Sequence, residues 1–255
     1  KQKDIEKSII KKFRKSVWCK FTKAIREYEL VKDGDKIAVC ISGGKDSMLM
    51  AKLFQELVRH RKFHFELVFL VMDPGYSSEN REIIEHNAKR LGIPITVFES
   101  TIFDAVYNVE KSPCYLCARM RRGYLYSKAK ELGCNKIALG HHFDDAVETF
   151  MMNLFNEGRI GCFSPVTYLD KSGITLLRPL IYAPEKDIKY FINHSDIPVM
   201  KSPCPADKNS ERQRVKDLLR GLEKQNKGLK HRIFGAMQRS EVDGFVNPEK
   251  KTRYG

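Results

Sequence analysis

The fold is set by one stretch of the chain, Lys36-Ile37-Ala38-Val39-Cys40-Ile41 followed directly by Ser42-Gly43-Gly44-Lys45-Asp46-Ser47. The first six residues predict a buried strand, with Cys40 in the core, and the next six predict a turn that opens a helix over about 47–60. Adjacent glycines let the backbone approach a ligand closely, and a helix start presents unpaired N–H groups and the positive end of the helix dipole. The stretch therefore predicts either a phosphate-binding loop or an ordinary glycine-rich turn.

The side chains of this loop favour the phosphate-binding alternative. Ser42, Lys45 and Ser47 can donate hydrogen bonds to phosphate oxygens. Asp46 would be repelled by bare phosphate, so its presence indicates a bridging Mg²⁺ ion. This acid stands where the GxxxxGK[ST] loop has serine or threonine, so the loop belongs to a different class.

Strands and amphipathic helices continue to alternate beyond the loop. The predicted strands are 65–72, 95–98, 136–139 and 175–178, and the predicted helices are 77–91, 119–132, 144–156 and 185–193. Apolar strands that alternate with helices indicate an α/β fold, with a Rossmann-like parallel sheet covered on both faces. Such sheets bind ligands at the carboxyl ends of their strands.

The basic charge of the chain lies at its two ends. The 255 residues carry a net charge of +14, of which residues 1–36 contribute +6 and residues 201–255 contribute +7. The first segment predicts an amphipathic helix over 4–29, and the second predicts helices over 210–225 and 228–238. A nearly neutral body with basic flanks is typical of an enzyme that binds a polyanion, and the alternative is a solvated surface that aids solubility.

These patterns divide the chain into four parts. We expect a basic helix over 1–32, a nucleotide domain over 33–200 with an inserted CxxC segment, a helical region over 201–240 and a frayed tail over 241–255. No apolar run approaches the roughly 20 residues that span a bilayer. The first residues show no secretory signal, so we expect a cytoplasmic protein without membrane contact. The seven cysteines are then expected to be free, metal-binding or catalytic.

A second polar segment follows the predicted strand 136–139. It is Gly140-His141-His142-Phe143-Asp144-Asp145-Ala146-Val147-Glu148-Thr149, and it enters a helix. Asp144 or Asp145 would share a helix face with Glu148, which suits a metal ion or the orientation of a water beside phosphates. The two histidines could contact pyrophosphate or a nucleobase. The alternative has Asp144 as the helix N-cap and the histidines as polar surface.

Three cysteines form a further constellation. Cys114 and Cys117 are spaced as CxxC, and the tetrapeptide Lys-Ser-Pro-Cys that ends at Cys114 recurs to end at Cys204. Three thiolates fit structural Zn²⁺ with a fourth ligand, a thioredoxin-like pair that leaves Cys204 unexplained, or three buried thiols. They also fit a [4Fe–4S] cluster that keeps one iron open for a substrate. The nucleotide loop favours the cluster.

These motifs together resemble those of a known family. SGGKDS is similar to the PP-loop of ATP pyrophosphatases, which cleave ATP between the α and β phosphates, and ALGHHFDD is similar to the matching segment of tRNA-modifying PP-loop enzymes. With a lone cysteine 90 residues after the start of the CxxC, the chain resembles the tRNA 2-thiocytidine synthetases (the TtcA family) from its first helix to about residue 240. Segments 117–123, 178–180 and 185–188 share this resemblance.

Two details of the resemblance bear on the target base. Related 2-thiouridine enzymes have a catalytic lysine where this chain has Arg121, and they carry terminal zinc fingers that these 255 residues lack. Both differences favour the thiocytidine branch. The segment Cys204-Pro205-Ala206-Asp207-Lys208 lacks a second cysteine expected from the best-known members, which leaves the target nucleotide open.

The motifs and the resemblance together give the expected site. ATP is expected on Cys40, Ser42, Gly43, Gly44, Lys45, Asp46, Ser47, Met72, Asp73, Gly140, His141, His142 and Asp145, with Mg²⁺ at Asp46. The expected catalytic residues are Lys45, Asp46, Arg121, Asp144 and Asp145. The cluster is expected on Cys114, Cys117 and Cys204, and tRNA on Arg119, Arg121, Arg122, Arg212 and Arg214.

The resemblance also implies the reaction. A base in the anticodon loop is adenylated at its C2 oxygen, pyrophosphate leaves, and sulfur is transferred through the cluster as AMP departs. The sulfur donor would be a cysteine desulfurase or free sulfide, and the resemblance suggests a homodimer. The alternatives are a 2-thiouridine-forming or lysidine-type enzyme, zinc in place of the cluster, and a nucleotide-gated RNA-binding module without chemistry.

Overall fold

The computed structural model describes residues 2–100, 102, 113–200 and 211–251, apart from the side chains of 113–115 and 251. The described strands are β1 Lys36–Ile41, β2 Glu66–Asp73, β3 Ile95–Glu99, β4 Lys136–Ala138, β5 Val166–Leu169 and β6 Ile174–Leu177. The described helices are α1 Gln2–Ile10, α2 Cys19–Glu27, α3 Lys45–Arg59, α4 Ser78–Leu91, α5 Pro113–Glu131, α6 Phe143–Glu157, α7 Glu185–His194, α8 Glu211–Gln225, α9 Leu229–Arg239 and α10 Pro248–Lys251.

The strands form one sheet in the order β3-β2-β1-β4-β6-β5. β1 pairs in parallel with β2 on one side and with β4 on the other. The chain therefore builds the sheet outward from β1 in one direction and then returns to extend it in the other. In a sheet of this kind the crevice between the loops after β1 and β4 is the ligand-binding switch point. The predicted Rossmann-like fold is confirmed.

One edge of the sheet differs from the prediction. β5 pairs with β6 in antiparallel fashion, so the sheet is mixed and not wholly parallel as expected. The two strands form a hairpin whose tight turn is closed by a hydrogen bond from the Gly173 N–H to the Leu169 carbonyl. A four-residue edge strand with one face in solvent has too few apolar positions to stand out in a sequence pattern. Tyr168 of β5 is 61% exposed, as expected of an edge.

The helix predicted over 4–29 consists of α1, a π-helical turn at Arg14–Trp18 and α2. The Phe13 N–H donates to the Ser8 carbonyl, five residues earlier. This spacing, one residue longer than in an α-helix, is typical of a π-helical turn. The apolar face stays continuous through this turn. Phe13 packs edge-to-face on Phe191 of α7, and Phe21 packs in the same way on Phe54 of α3. The first helices are therefore part of the core that supports the glycine loop.

The basic C-terminal helices pack against α6. Phe234 of α9 lies with its ring centroid 4.7 Å from that of Phe143, at the start of α6. Phe245 in turn packs edge-to-face on Phe234 and is only 1% exposed. The expected frayed tail is therefore wrong for this part of the chain, because a buried aromatic ring ties it to the core. No helix among the described residues is long and apolar enough to cross a membrane.

Candidate active site

The glycine loop, residues 42–47, joins β1 to α3 at the switch point. Gly43 has a φ of +78°, and a Cβ atom there would lie 2.7 Å from Cγ1 of Ile84, so backbone conformation and packing both require glycine. The Ser47 hydroxyl accepts a hydrogen bond from the Ser42 N–H at 3.2 Å and donates one to the Gly44 carbonyl at 2.9 Å. The loop is closed by its own serine. The first N–H groups of α3, which have no partner within the helix, can then bind phosphate.

Lys45 lies between two carboxylates. Its Nζ is 3.0 Å from Oδ2 of Asp46 and 3.1 Å from Oε1 of Glu185, the first residue of α7. Burial by itself would lower the pKa of Lys45, but the two ion pairs outweigh burial and raise it. Lys45 is therefore charged at neutral pH and is placed to meet an anionic ligand.

His142 joins the start of α6 to the glycine loop. The His142 Nδ1 atom accepts a hydrogen bond from the Asp145 N–H at 3.3 Å, and Oδ2 of Asp145 accepts one from the His142 N–H at 2.9 Å. This reciprocal arrangement is a capping box, and it makes His142 the N-cap residue in place of Asp144. The Nε2 atom of His142 lies 3.7 Å from Oδ1 of Asp46. The two polar segments predicted from the sequence therefore meet in the crevice.

Asp46 has the properties expected of a cation ligand. Its Oδ1 atom is buried and has no hydrogen-bond partner in the part of the chain that the structure describes. A buried carboxylate oxygen without a donor is stabilised by a bound cation, and hard oxygen ligands suit Mg²⁺. Gly140 approaches this residue closely, since a Cβ at Gly140 would lie 3.4 Å from the Asp46 Cβ. The residues present therefore fit a magnesium ion held beside bound phosphates.

Asp144 is engaged with protein groups on both sides. Its Oδ1 lies 2.7 Å from Nζ of Lys230, and its Oδ2 accepts a hydrogen bond from the Glu185 N–H at 2.7 Å. Burial would raise the pKa of Asp144, but these two donors outweigh burial and lower it. The carboxylate joins α6 to α7 and α9. Asp145 is also engaged, by the His142 N–H and by Arg212 at 3.6 Å, but these partners lie in the crevice, and this placement favours Asp145 over Asp144 as the second acid beside a cation.

Of the three predicted cluster ligands, Cys117 is the one whose side chain the structure describes. Its thiol is half-buried on α5 and is not in a disulfide. Burial raises the pKa of Tyr76, which lies just beyond the carboxyl end of β2. Helix α5 leads back to the amino end of β4, so its first turns, which carry Cys117 and Arg121, lie towards the carboxyl ends of the strands, the edge that holds the glycine loop.

The other two predicted cluster ligands lie outside the described residues. These are the side chain of Cys114 and the whole of Cys204, so the convergence of the three sulfurs stays a prediction. The Met200 N–H bonds to the Gly43 carbonyl at 3.4 Å, which brings the chain to the glycine loop four residues before Cys204. Within the described residues no group of three or more His, Cys, Asp or Glu side chains could hold a metal ion.

Comparison with known proteins identifies the family. A family model described as a PP-loop domain matches residues 14–221. The tRNA-cytidine(32) 2-sulfurtransferase of Citrifermentans bemidjiense is 36% identical over 220 residues, which cover 84% of this chain and 86% of the relative. The enzyme of the same name from Saccharophagus degradans is 36% identical over 231 residues, which cover 89% and 74%. The chain belongs to the PP-loop family of tRNA-cytidine 2-sulfurtransferases.

A solved structure agrees with this PP-loop family. The U34-tRNA thiolase NcsA from Methanococcus maripaludis, solved with its [4Fe–4S] cluster, superimposes with a TM-score of 0.73. Its sequence is 25% identical, and the match covers 89% of this chain and 78% of the thiolase.

Other residues expected to bind ATP in this PP-loop chain have varied surroundings. Asp73 is 5% exposed, and its Oδ1 accepts hydrogen bonds from the N–H groups of Gly75 and Tyr76 at 2.9 and 2.6 Å. It therefore shapes the loop after β2. Met72 and Cys40 are half-buried, and burial raises the pKa of the Cys40 thiol. Their contacts with ATP stay predictions.

His141 and Glu148 are buried polar groups near the crevice of the PP-loop fold. Burial lowers the pKa of His141 to about 4; the charge of Asp145 opposes this shift and those of Arg178 and Arg212 add to it, so the imidazole is neutral at neutral pH. Burial raises the pKa of Glu148, which is 1% exposed. Neither His141 Nδ1 nor Glu148 Oε1 has a hydrogen-bond partner among the described residues. A neutral histidine can accept a hydrogen bond from a nucleotide or a base.

The arginines expected to bind RNA fall into two groups. Arg119 and Arg122 on α5 are exposed, and Arg214 on α8 exposes 78% of its side chain. Arg212 instead turns towards the site, where it donates to Oγ1 of Thr149 at 3.1 Å and lies 3.6 Å from Asp145. Arg121 is half-buried.

Sequence reasoning gave no role to two residues that the structure brings to the site. Glu185 pairs with Lys45, and Arg178 lies over the Phe163 ring, which itself packs against His141. Both residues belong to segments that carry the family resemblance. That resemblance was the available signal, since neither spacing nor composition indicates their partners.

Proposed function

We propose that the chain is an ATP-dependent tRNA-cytidine 2-sulfurtransferase that forms 2-thiocytidine in the anticodon loop, at position 32 as named for its relatives. The observation that carries this proposal is the meeting of Lys45, Asp46 and His142 at the switch point of a PP-loop sheet. It supplies, in one crevice, a cationic side chain, a helix start and a carboxylate oxygen that has no hydrogen-bond donor among the described residues.

The glycine loop would bind the ATP phosphates. Gly43 allows the left-handed turn of the loop, with a φ of +78°, and the N–H groups at the start of α3 face negative charge favourably. The C2 oxygen of the base would attack the α-phosphorus, and the bond to the bridging oxygen would break to release pyrophosphate. Lys45 and the N–H groups would stabilise the charge that grows on the phosphate oxygens. Asp46, with Asp145 beside His142, would hold Mg²⁺.

Cys114, Cys117 and Cys204 would hold a [4Fe–4S] cluster. Thiolates are the preferred ligands of such clusters, and the reduced Cys117 at the edge of the crevice fits this donor set. When bound, the cluster would carry sulfur taken from the donor, and this sulfur would replace AMP at C2 of the base. Arg121, on the turn of α5 after Cys117, would help to position the adenylated base.

The basic parts of the chain would bind tRNA. The helices α1 and α2 at one end and α8 and α9 at the other carry much of the basic charge, and Arg119, Arg122 and Arg214 are exposed for phosphate contacts. A base in a loop is partly unstacked, which lowers the free energy needed to present it. A cysteine desulfurase or free sulfide would provide sulfur. The chain would act in the cytoplasm as a homodimer.

The test is a reconstituted reaction. Anaerobically purified protein with about four irons per chain is incubated with ATP, Mg²⁺, sulfide and an unmodified tRNA transcript, and the nucleosides are analysed by mass spectrometry. We expect 2-thiocytidine with AMP and pyrophosphate in equal amounts, and loss of iron and product in Cys117→Ala. Cys134→Ala is the matched control, since Cys134 is a buried thiol away from the crevice. Formation of 2-thiouridine, or a colourless zinc protein active in air, would overturn the proposal.

A further inference from the structure

Glu185 is shared by lysines from two separate elements. Its Oε1 atom lies 3.1 Å from Nζ of Lys45 in the glycine loop, and its Oε2 atom lies 3.1 Å from Nζ of Lys216 on α8. Lys189, on the same helix as Glu185, also lies 3.2 Å from Oε1. The Glu185 side chain is 13% exposed, so these pairs are poorly screened by solvent. One carboxylate therefore links the nucleotide loop to the basic C-terminal region.

The position of this carboxylate is fixed by the backbone. Glu185 is the first residue of α7, after Pro184 at the N-cap. Its N–H donates to Oδ2 of Asp144 at 2.7 Å, and Asp144 is itself held by Lys230. Because Glu185 is anchored in this way, a change in one lysine is felt by the other through the shared carboxylate and not through movement of α7.

Electrostatics sets the direction of the effect. Two ammonium groups that share one carboxylate repel each other. Triphosphate at the glycine loop would draw Lys45 towards the phosphates. The repulsion between Lys45 and Lys216 would then weaken, and Glu185 would hold Lys216 and α8 more firmly. The cations that α8 presents to solvent include Arg214 and Arg220, with side chains 78% and 57% exposed. A firmly docked α8 would present these arginines to RNA.

We propose that Glu185 is a positioning residue that couples ATP binding at the glycine loop to tRNA binding at α8, so that each ligand tightens the binding of the other. The identity of the RNA rests on the proposed function, whereas the coupling rests on the ion pairs of Glu185. Coupling between two binding sites is reciprocal, so it can be measured from either ligand.

The experiment measures the coupling as a ratio, the Kd of an ATP analogue without tRNA divided by its Kd with tRNA. The holoprotein is titrated with α,β-methylene ATP, which cannot be cleaved between the α and β phosphates, with and without a saturating unmodified tRNA transcript. We expect tRNA to lower the Kd of the analogue about fivefold or more in the unsubstituted protein. In Glu185→Gln the analogue should bind more tightly without tRNA, because no carboxylate competes for Lys45, and the ratio should fall to about one.

Lys216 provides an independent arm of the experiment. Lys216→Met should also bring the ratio to about one, and Lys216→Arg, which keeps the charge, should retain it. Lys20→Met is the matched control. Lys20 pairs at 2.7 Å with Asp187, which lies on α7 two residues after Glu185, and does not pair with Glu185. Any loss of RNA affinity in this control cancels in the ratio, which should stay at the value of the unsubstituted protein.

Two results would overturn the inference. One is a ratio of about one in the unsubstituted protein, and the other is a ratio that Glu185→Gln and Lys216→Met both retain. If Glu185→Gln does not fold, Lys216→Met and Lys216→Arg decide the question. The titration involves no sulfur transfer, so a protein that binds both ligands cooperatively but makes no 2-thiocytidine would refute the proposed function and leave the coupling intact.

Discussion

Nζ of Lys230 lies 2.7 Å from Oδ1 of Asp144, and this ion pair fixes α9 against the first turn of α6. The two side chains are 17% and 11% exposed. The pair distinguishes two neighbouring acids that are equivalent in a sequence motif. Asp144 stabilises the packing of the basic C-terminal helices, and Asp145 is the acid that stays with His142 in the crevice.

We expect Asp144→Asn to reduce the free energy of unfolding by about 2 kcal/mol, because a buried hydrogen bond to a charged group contributes about 1.5–3 kcal/mol. Urea unfolding followed by circular dichroism measures this loss. Asp145→Asn is the matched control, and it should shift the unfolding midpoint less while lowering the rate of AMP formation more. Unchanged stability in Asp144→Asn, together with lost activity, would contradict the assignment.

Gly43→Ala should abolish nucleotide binding. The new Cβ would lie 2.7 Å from Cγ1 of Ile84 at a φ of +78°, so the loop would have to move from its closed shape. Gly34→Ala is the control, because Gly34 has a φ of +82° but a Cβ added there would meet no atom of the described residues within 4 Å. It should lower stability by about 1 kcal/mol and leave the Kd for ATP unchanged. Calorimetric titration with ATP tests both variants, and equal affinities would refute the role of the loop.

Arg214→Ala should weaken tRNA binding without a change in stability. Arg214 is 78% exposed, with one ion pair to Glu211 at 2.8 Å. If it contacts one phosphate, the slope of log affinity against log salt should fall in magnitude by about one. Lys36→Ala removes a charge with a similar partner, Glu66, at the amino end of β1, opposite the crevice, and should leave the slope unaltered. Filter binding over a series of salt concentrations measures both slopes. A smaller slope in Lys36→Ala, with an unaltered slope in Arg214→Ala, would contradict the prediction.

The stabilisation that Glu6 provides should depend on pH. Burial would raise the pKa of Glu6, but hydrogen bonds from Arg59, Lys52 and Gln2 outweigh it and lower the pKa to about 2 from an ordinary 4.5. A lowered folded-state pKa stabilises the protein fully above the unfolded-state pKa, and this stabilisation is lost as pH falls towards the folded-state pKa.

The stability difference between Glu6→Gln and the unsubstituted protein should therefore be constant above about pH 5 and shrink as pH falls from there towards about pH 2. Glu29→Gln, at a carboxylate 74% exposed, is the control and should show little difference at any pH. Urea midpoints across this range measure the effect. A difference for Glu6→Gln that grows as pH falls would show the sign to be wrong.

Local sequence patterns were enough for most of the architecture. The strand and loop of residues 36–47 appear where expected, because five apolar residues and two glycines restrict the backbone by themselves. The helix predicted over 77–91 begins with Ser77 as its N-cap and ends at Gly92 with a φ of +63°. Both ends could be predicted because the residues that cap a helix are adjacent to it in the sequence. That the two polar segments lie at the same edge of the sheet also followed from the pattern, because parallel strands end at one edge; that β1 and β4 are neighbours was decided by the topology.

Long-range packing decided what the patterns left open. Asp144 and Asp145 are adjacent in sequence, but they point about 100° apart around a helix, so their partners come from different elements. One of the two carboxylates that hold Lys45 is on Glu185, 140 residues later in the chain, and no local rule relates the two residues. Phe245 in a polar tail and the short strand β5 are ordered for the same reason, through contacts with distant parts of the chain.

The sequence by itself thus determined the fold class, the glycine loop and the family of this protein, because these depend on residue spacing along the backbone. Only the tertiary structure decided which acids face the crevice, which are structural, and which one joins the nucleotide loop to the basic helices. Those assignments depend on where side chains from separate elements meet, and that is set by how the core packs.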